Sequence, residues 1–233
     1  MPSRAKKLNK SKKSTSAVVQ TANSSIFIPI VTLFFIFWLI YRFVFHFPIW
    51  FDETIGKALF FGLPVWLYIT ISGDRSIADT FSWKKFEPGI LLGLAFGGLY
   101  GFATSLFLVM AGGGGVEPAL VFVSPAFWNE FLLALFTGFW ETLLFFSFIQ
   151  MVVMQRYRQW GFLHQVVAVA VIFVAFHVPN MILRSDAIAV IWQILLLSMF
   201  GLGQALLFYR TKNSYILILS QAFWGLVLMT HGR

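Results

Sequence analysis

Residues 139–146 have the sequence FWETLLFF, and they place the carboxylate of Glu141 deep inside an apolar run that extends from Ala126 to Met154. A second apolar run contains FVAFHVPN at residues 173–180, which carries the imidazole of His177. Acids and imidazoles inside apolar segments of membrane length are costly and tend to persist where they have a function. The two segments therefore indicate the fold class and supply the first candidates for a site.

The composition is that of a membrane protein. Of the 233 residues, 59% are hydrophobic, 19% are aromatic and only 11% are charged, whereas about a quarter of the residues of a soluble domain are charged. We therefore predict an all-α fold, a polytopic helical bundle integral to a membrane. The chain has no cysteine, which excludes disulfides, thiolate metal ligands and a cysteine nucleophile.

Seven apolar segments are predicted to cross the membrane as helices. Each is close to the roughly 20 residues that a helix needs to span the hydrocarbon core. They lie at residues 25–45, 54–72, 89–111, 126–154, 162–183, 187–209 and 214–230.

The basic residues predict the orientation of these helices. With the N-terminus inside, Lys57, Arg184 and Arg233 fall on the outer side, and Arg42 lies near the end of the first span. Thirteen others fall inside, namely Arg4, Lys6, Lys7, Lys10, Lys12, Lys13, Arg75, Lys84, Lys85, Arg156, Arg158, Arg210 and Lys212. Because Lys and Arg are enriched in cytoplasmic loops, we predict an N-in, C-out topology.

The domain organisation follows from the same pattern. Residues 1–24 are basic and free of aromatic residues, so we predict a disordered cytoplasmic tail. Its basic residues either contact anionic lipid headgroups or only fix the orientation of the chain. Residues 25–87 are predicted to form N-terminal transmembrane helices with a cytoplasmic loop, and residues 88–233 a membrane core. The net charge is +8, but the basic residues lie mainly in the first residues and beside the apolar segments, as is typical of topology determinants. This distribution argues against nucleic acid as a partner. We expect a multi-pass protein of the plasma membrane.

Glu141 and His177 are the strongest candidates for chemistry. Glu130 lies near the outer end of its span and His164 at the start of the next, where the interface can solvate them. Glu141 is expected to face the bundle interior or a wet cavity, and a carboxylate there suits a general acid or base. His177 can ligate zinc, whose bound water is a nucleophile, but a zinc site needs about three protein ligands. The last span offers only Gln221, a poor zinc ligand.

The segment at Glu141 resembles the first motif of the CPBP family of intramembrane metalloproteases. This family includes the type II CAAX prenyl proteases and the bacteriocin-processing proteins, also called Abi, and its first motif is Glu-Glu-x-x-Phe-Arg. Glu141 and Phe145 match that motif, whereas Thr142 replaces the second Glu and Phe146 replaces the Arg.

The family's second and third motifs fall on later spans. The second motif, Phe-x-x-x-His, is intact from Phe173 to His177, and the Val-Pro-Asn that ends at Asn180 is also typical of the family. The third motif, His-x-x-x-Asn, would fall on Gln221 and Gly225, so both of its polar residues are replaced. The resemblance covers residues 88–233, with the motifs in the family's order on successive apolar segments.

The resemblance implies an intramembrane endopeptidase that cleaves a hydrophobic or lipidated peptide at the membrane. Glu141 would activate water, His177 would hold or polarise it or ligate zinc, and Asn180 and Gln221 would support the site. The alternative is a catalytically inactive relative that binds such peptides as a membrane interaction protein. A small transporter with Glu141 as a proton relay is disfavoured, because the chain lacks paired discontinuous helices in two matching halves.

Overall fold

The computed structural model describes residues 26–112 and 126–231, and within these ranges the chain forms helices and no strands. The predicted basic tail, residues 1–24, and the charge of Arg233 lie outside the described residues. The all-helical prediction is confirmed.

Eight helices are described, two of which contain π-helical turns. Helix α2 is π-helical at Asp52–Gly56 and Ala58–Gly62, and α5 at Thr142–Gln150. The helices are α1 (Phe27–Val44), α2 (Ile49–Ser72), the short α3 (Ser76–Asp79), α4 (Phe86–Gly112), α5 (Phe127–Arg156), α6 (Phe162–Arg184), α7 (Ala187–Thr211) and α8 (Ser214–His231).

Six of these helices are long and apolar enough to cross a membrane, and Ser214–Val227 is a shorter apolar helix. The prediction of seven spans thus agrees at six positions, and the seventh predicted segment also forms a helix, α8. Large apolar side chains face outward, among them Phe102, which is 70% exposed, and Ile188, which is 71% exposed. Such a surface suits lipid and not water, in agreement with the predicted polytopic membrane bundle.

Helix α5 lies at the centre of the bundle. In its most apolar window 56% of the residues are buried, against 22–39% in the other five spans. Phe145, Phe146 and Phe148 are fully buried and form the middle of the core. Phe145 packs edge-on against Phe61 of α2 and Phe173 of α6. The helices on both sides of α5 are therefore fixed relative to the residues around Glu141.

Close packing of α4 on α8 encloses another side of the bundle. A Cβ atom placed on Gly93 would lie 2.7 Å from the Cβ of Leu219, nearer than side chains approach, so the two backbones need a glycine here. Small residues at helix contacts are typical of membrane bundles, where dispersion and not water expulsion drives association.

Helix α2 differs from the prediction in a way that matters for the site. It begins at Ile49, earlier than the predicted residue 54, and Lys57 therefore lies well inside it. The structure does not test on which side of the membrane Lys57 lies, but it shows that the residue is buried in the bundle, since it is only 4% exposed. The physical reason is that two carboxylates inside the bundle bind its ammonium group.

Candidate active site

Glu141 lies at the point where α5 changes from α-helical to π-helical geometry. The α-helical part ends at Glu141 and the π-helical part begins at Thr142. Single π turns within α-helices are rare and are often found at functional sites. The helix can lie against α8 here because residue 138 is glycine, whose absent Cβ would sit 2.7 Å from the carbonyl oxygen of Ile218. Glu141 is 6% exposed, so its carboxylate needs partners within the bundle.

His177 of α6 is one of these partners. Its Nε2 atom lies 3.3 Å from Oε1 of Glu141, and its Nδ1 atom lies 2.7 Å from the carbonyl oxygen of Phe173. A carbonyl oxygen only accepts hydrogen bonds, so Nδ1 carries a proton. In the neutral imidazole Nε2 is then an acceptor, so its 3.3 Å contact with Oε1 of Glu141 joins two acceptors and is a hydrogen bond only when the ring is protonated. The two residues expected to form the site thus do lie together.

A hydrogen bond from α1 fixes the position of α6 next to His177. The indole Nε1 of Trp38 donates a 2.9 Å hydrogen bond to the carbonyl oxygen of Phe176. Pro179 within α6 lacks an N–H group and leaves a carbonyl in the preceding turn without its usual helical donor. The Trp38 bond adds a fixed contact to the same stretch of backbone that carries His177.

Lys57 of α2 is the second partner of Glu141. Its Nζ atom lies 2.6 Å from Oε1 of Glu141 and 2.5 Å from Oε2 of Glu53, one turn earlier on α2. The hydroxyl of Thr137 on α5 donates to the same Oε2 of Glu53, at 2.5 Å. Two carboxylates and one ammonium therefore form a cluster that joins α2 to α5.

The sequence did not predict that Glu53 and Lys57 belong to the cluster around Glu141. Glu53 and Lys57 are four residues apart in an apolar segment, a spacing that places them on one face of a helix. That signal does not reveal which way the face points. The partner, Glu141, is 84 residues further along the chain.

Gln221 and Asn180 lie near the pair without bonding to it. The hydroxyl of Thr142 donates to Oε1 of Gln221 at 3.1 Å, so Gln221 contacts the residue next to Glu141. The amide nitrogen of Gln221 and Oδ1 of Asn180 are buried and have no hydrogen-bond partner among the described residues. Among the described residues, the polar contacts of Glu141 and His177 involve neither Asn180 nor Gln221.

A cavity of about 420 Å³ opens beside His177 between α6, α7 and α8. Its walls combine apolar side chains with uncharged polar ones. The lining residues are His177, Asn180, Met181, Ser185, Gln193, Leu196, Leu197 and Trp224. None of them is an acid, a lysine or an arginine, so the cavity suits an uncharged ligand. Since His177 contacts both the cavity and Glu141, it connects the two.

The residues around Glu141 do not fit a zinc ion. The 3.3 Å between Glu141 Oε1 and His177 Nε2 equals the spacing of two tetrahedral ligands with bonds of about 2.0 Å. A third ligand is missing, because no group of three His, Cys, Asp or Glu residues in the described ranges could hold a metal. In addition, the Lys57 ammonium already lies 2.6 Å from the same oxygen, where it would repel a divalent cation.

The site therefore offers a carboxylate, an imidazole and an ammonium in a mostly buried cluster. A carboxylate and a neutral imidazole both accept hydrogen bonds, so a water molecule beside them has two acceptors for its protons. Such an arrangement is able to activate water as a nucleophile by general base catalysis.

Comparison with known proteins identifies a related family. Residues 123–227 match the model of a protein family described as "Type II CAAX prenyl endopeptidase Rce1-like". The match covers α5, α6, α7 and most of α8, which carry Glu141, His177, Asn180 and Gln221. Neither the curated proteins nor the solved structures contain a match. The predicted resemblance to the CPBP and CAAX protease family is confirmed.

Proposed function

We propose that this chain, whose residues 123–227 match the type II CAAX prenyl endopeptidase family, is an endopeptidase that cleaves a peptide bond at the membrane. Glu141 acts as the general base and His177 holds and polarises the attacking water. The observation that carries the proposal is the 3.3 Å contact between Glu141 Oε1 and His177 Nε2, with Nδ1 anchored on the carbonyl of Phe173.

The reaction follows from the hydrogen-bonding capacity of the two residues. Water beside them donates one hydrogen to Glu141 and the other to Nε2 of His177. As the water oxygen attacks the carbonyl carbon of the scissile bond, its proton passes to Glu141. The tetrahedral intermediate then breaks its C–N bond, and the proton moves from Glu141 to the leaving nitrogen. The products are a carboxylic acid and an amine, and Glu141 is again a carboxylate.

The proposed substrate is a hydrophobic or lipidated peptide. The cavity beside His177 is lined by apolar and uncharged polar side chains, which suits an apolar chain and disfavours charged side chains. Asn180 lines this cavity with a buried Oδ1 atom that has no partner among the described residues. We assign to Asn180 the role of accepting a backbone N–H from the substrate. Gln221 supports the site through Thr142.

A specific observation favours a second candidate, an inactive relative that binds such peptides. The carboxylate of Glu141 is already paired with the ammonium of Lys57 at 2.6 Å, and Gln221 stands where the family's third motif has histidine. A carboxylate committed to this pair would be structural. Binding of peptide without cleavage is the behaviour that this candidate predicts.

The test uses the full chain in liposomes. The probes are a farnesylated peptide ending in Cys-aliphatic-aliphatic-X and the same peptide without the farnesyl group. Mass spectrometry would follow release of the terminal tripeptide, and a fluorescent label would report binding. We expect cleavage by the wild type and none by Glu141→Gln, while Glu130→Gln on the same helix cleaves normally. Binding of a probe without cleavage by the wild type would support the second candidate, and neither binding nor cleavage would refute both.

A further inference from the structure

Lys57 is a buried cation outside the segment that matches the family. It belongs to α2, whereas the match begins at residue 123. A lysine inside a membrane helix usually extends its ammonium towards the interface. Lys57 instead directs it into the bundle, where only 6% of its side chain is exposed. The cost of burying this charge indicates that it has a purpose beyond topology.

Two carboxylates and an aromatic ring surround the ammonium group of Lys57. Its ammonium is 2.6 Å from Glu141 Oε1 and 2.5 Å from Glu53 Oε2, and 5.9 Å from the ring centroid of Phe61. An ammonium has three N–H donors, and these two carboxylates account for two of them. Glu53 is in turn held by the hydroxyl of Thr137, so the cation is fixed from two helices.

The position of Lys57 along α2 also depends on unusual backbone geometry. It lies between the π-helical turns Asp52–Gly56 and Ala58–Gly62. A π turn contains more residues than an α turn and rotates the side chains that follow it. With this geometry α2 presents Glu53 and Lys57 to α5.

We propose that the Lys57 ammonium supplies the positive charge of the site, where the residues around Glu141 do not fit a metal ion. This inference rests on the proposed peptidase function. Lys57 orients the carboxylate of Glu141 towards the water and compensates its negative charge. It is a positioning residue that acts through Glu141.

The charges of the cluster explain how this helps the reaction. Before attack, Glu53 and Glu141 carry two negative charges against one positive charge on Lys57. When Glu141 takes the proton of water, the negative charge moves to the oxygen of the tetrahedral intermediate. Lys57 then remains paired with Glu53, so the cluster of Glu53, Lys57 and protonated Glu141 has no net charge. Proton transfer therefore removes the excess negative charge from a buried cluster whose charges are already fixed in place.

Kinetics in liposomes would test this role. We compare the wild type with Lys57→Met and Lys57→Arg, using the farnesylated peptide. We expect Lys57→Met to lower kcat roughly 100-fold with KM nearly unchanged, and Lys57→Arg, which keeps the charge, to recover part of the loss. The control is Arg42→Met, which removes a buried cation that pairs with Asp52 and not with Glu141. It should leave kcat unchanged even where it lowers stability. A Lys57→Met variant with wild-type kcat would overturn the proposal, and so would a loss that Lys57→Arg does not recover at all.

The metal content provides a readout that does not depend on activity. The purified wild-type protein is incubated with zinc, passed through a desalting column and measured by mass spectrometry of its metals. We expect no zinc above the buffer level, and activity that is unaffected by a chelator. About one zinc per chain would overturn the inference about Lys57. If the wild type cleaves neither probe, the peptidase proposal fails and the catalytic role of Lys57 fails with it. If the wild type cleaves and Lys57→Met keeps the wild-type kcat, only the inference about Lys57 fails.

Discussion

Removal of Lys57 should destabilise the protein because it leaves two carboxylates in the bundle without a counter-ion. Each carboxylate oxygen lies within 2.6 Å of the ammonium nitrogen, so the two oxygens are close neighbours. At about 5 Å and an effective dielectric constant of about 20, two like charges repel by about 3 kcal/mol. Breaking a buried ion pair by removing one partner typically costs about 3–5 kcal/mol. We therefore expect Lys57→Met to lower the free energy of unfolding by that amount.

A combined variant separates this effect from a simple loss of packing. Lys57→Met with Glu53→Gln and Glu141→Gln removes all three charges together, and replacement of a whole buried ion group is often neutral. We expect it to be more stable than Lys57→Met alone. The measurement is denaturant-induced unfolding in mixed micelles, with the exposed Lys84→Met as a control that should change by less than about 0.5 kcal/mol. The reasoning is refuted if Lys57→Met unfolds within about 1 kcal/mol of the wild type.

Three further predictions concern the packing that supports the site. Gly93→Val should destabilise the α4–α8 contact by about 1–3 kcal/mol through overpacking, whereas Gly98→Val, with no neighbour near its Cβ position, should not; equal effects in thermal unfolding would contradict this. Phe145→Ala should lower the free energy of unfolding by about 3–5 kcal/mol, because it opens a cavity beside Glu141. If it lowers the free energy of unfolding by less than the exposed Phe102→Ala does, α5 is not at the centre of the bundle. Ser214→Ala should cost about 1 kcal/mol, because its hydroxyl joins Ser147 and Thr80; an unchanged unfolding midpoint would show that this network contributes nothing.

The sequence predicted the helices because their lengths and apolar composition are properties of contiguous residues. The bounds of α6, predicted at 162–183 and observed at Phe162–Arg184, illustrate this. The meeting of Glu141 and His177 was also predictable, since both are costly in a membrane and lie on successive helices. Their catalytic roles, the supporting roles of Asn180 and Gln221, and the topology remain predictions.

The inward position of Lys57 was not predictable for a physical reason. The side chain of a lysine near the end of an apolar segment can extend towards the membrane interface or point into the helical bundle. The composition of the segment does not distinguish these two directions. The π-helical turns of α2 add to the difficulty, because they rotate side chains relative to an ideal helix. The face that carries Glu53 and Lys57 is therefore fixed by tertiary contacts with Thr137 and Glu141.

The central claim is that Glu141 and His177 act together on one water molecule, and single-turnover cleavage of the farnesylated peptide in liposomes tests it most directly. We expect Glu141→Gln and His177→Ala each to lower the rate by about 10²–10⁴-fold, and the double variant to be no slower than the worse single variant, because residues that act as a unit are not additive. A double variant that shows the product of the two single losses, or a Glu141→Gln variant that cleaves at the wild-type rate, would contradict the account.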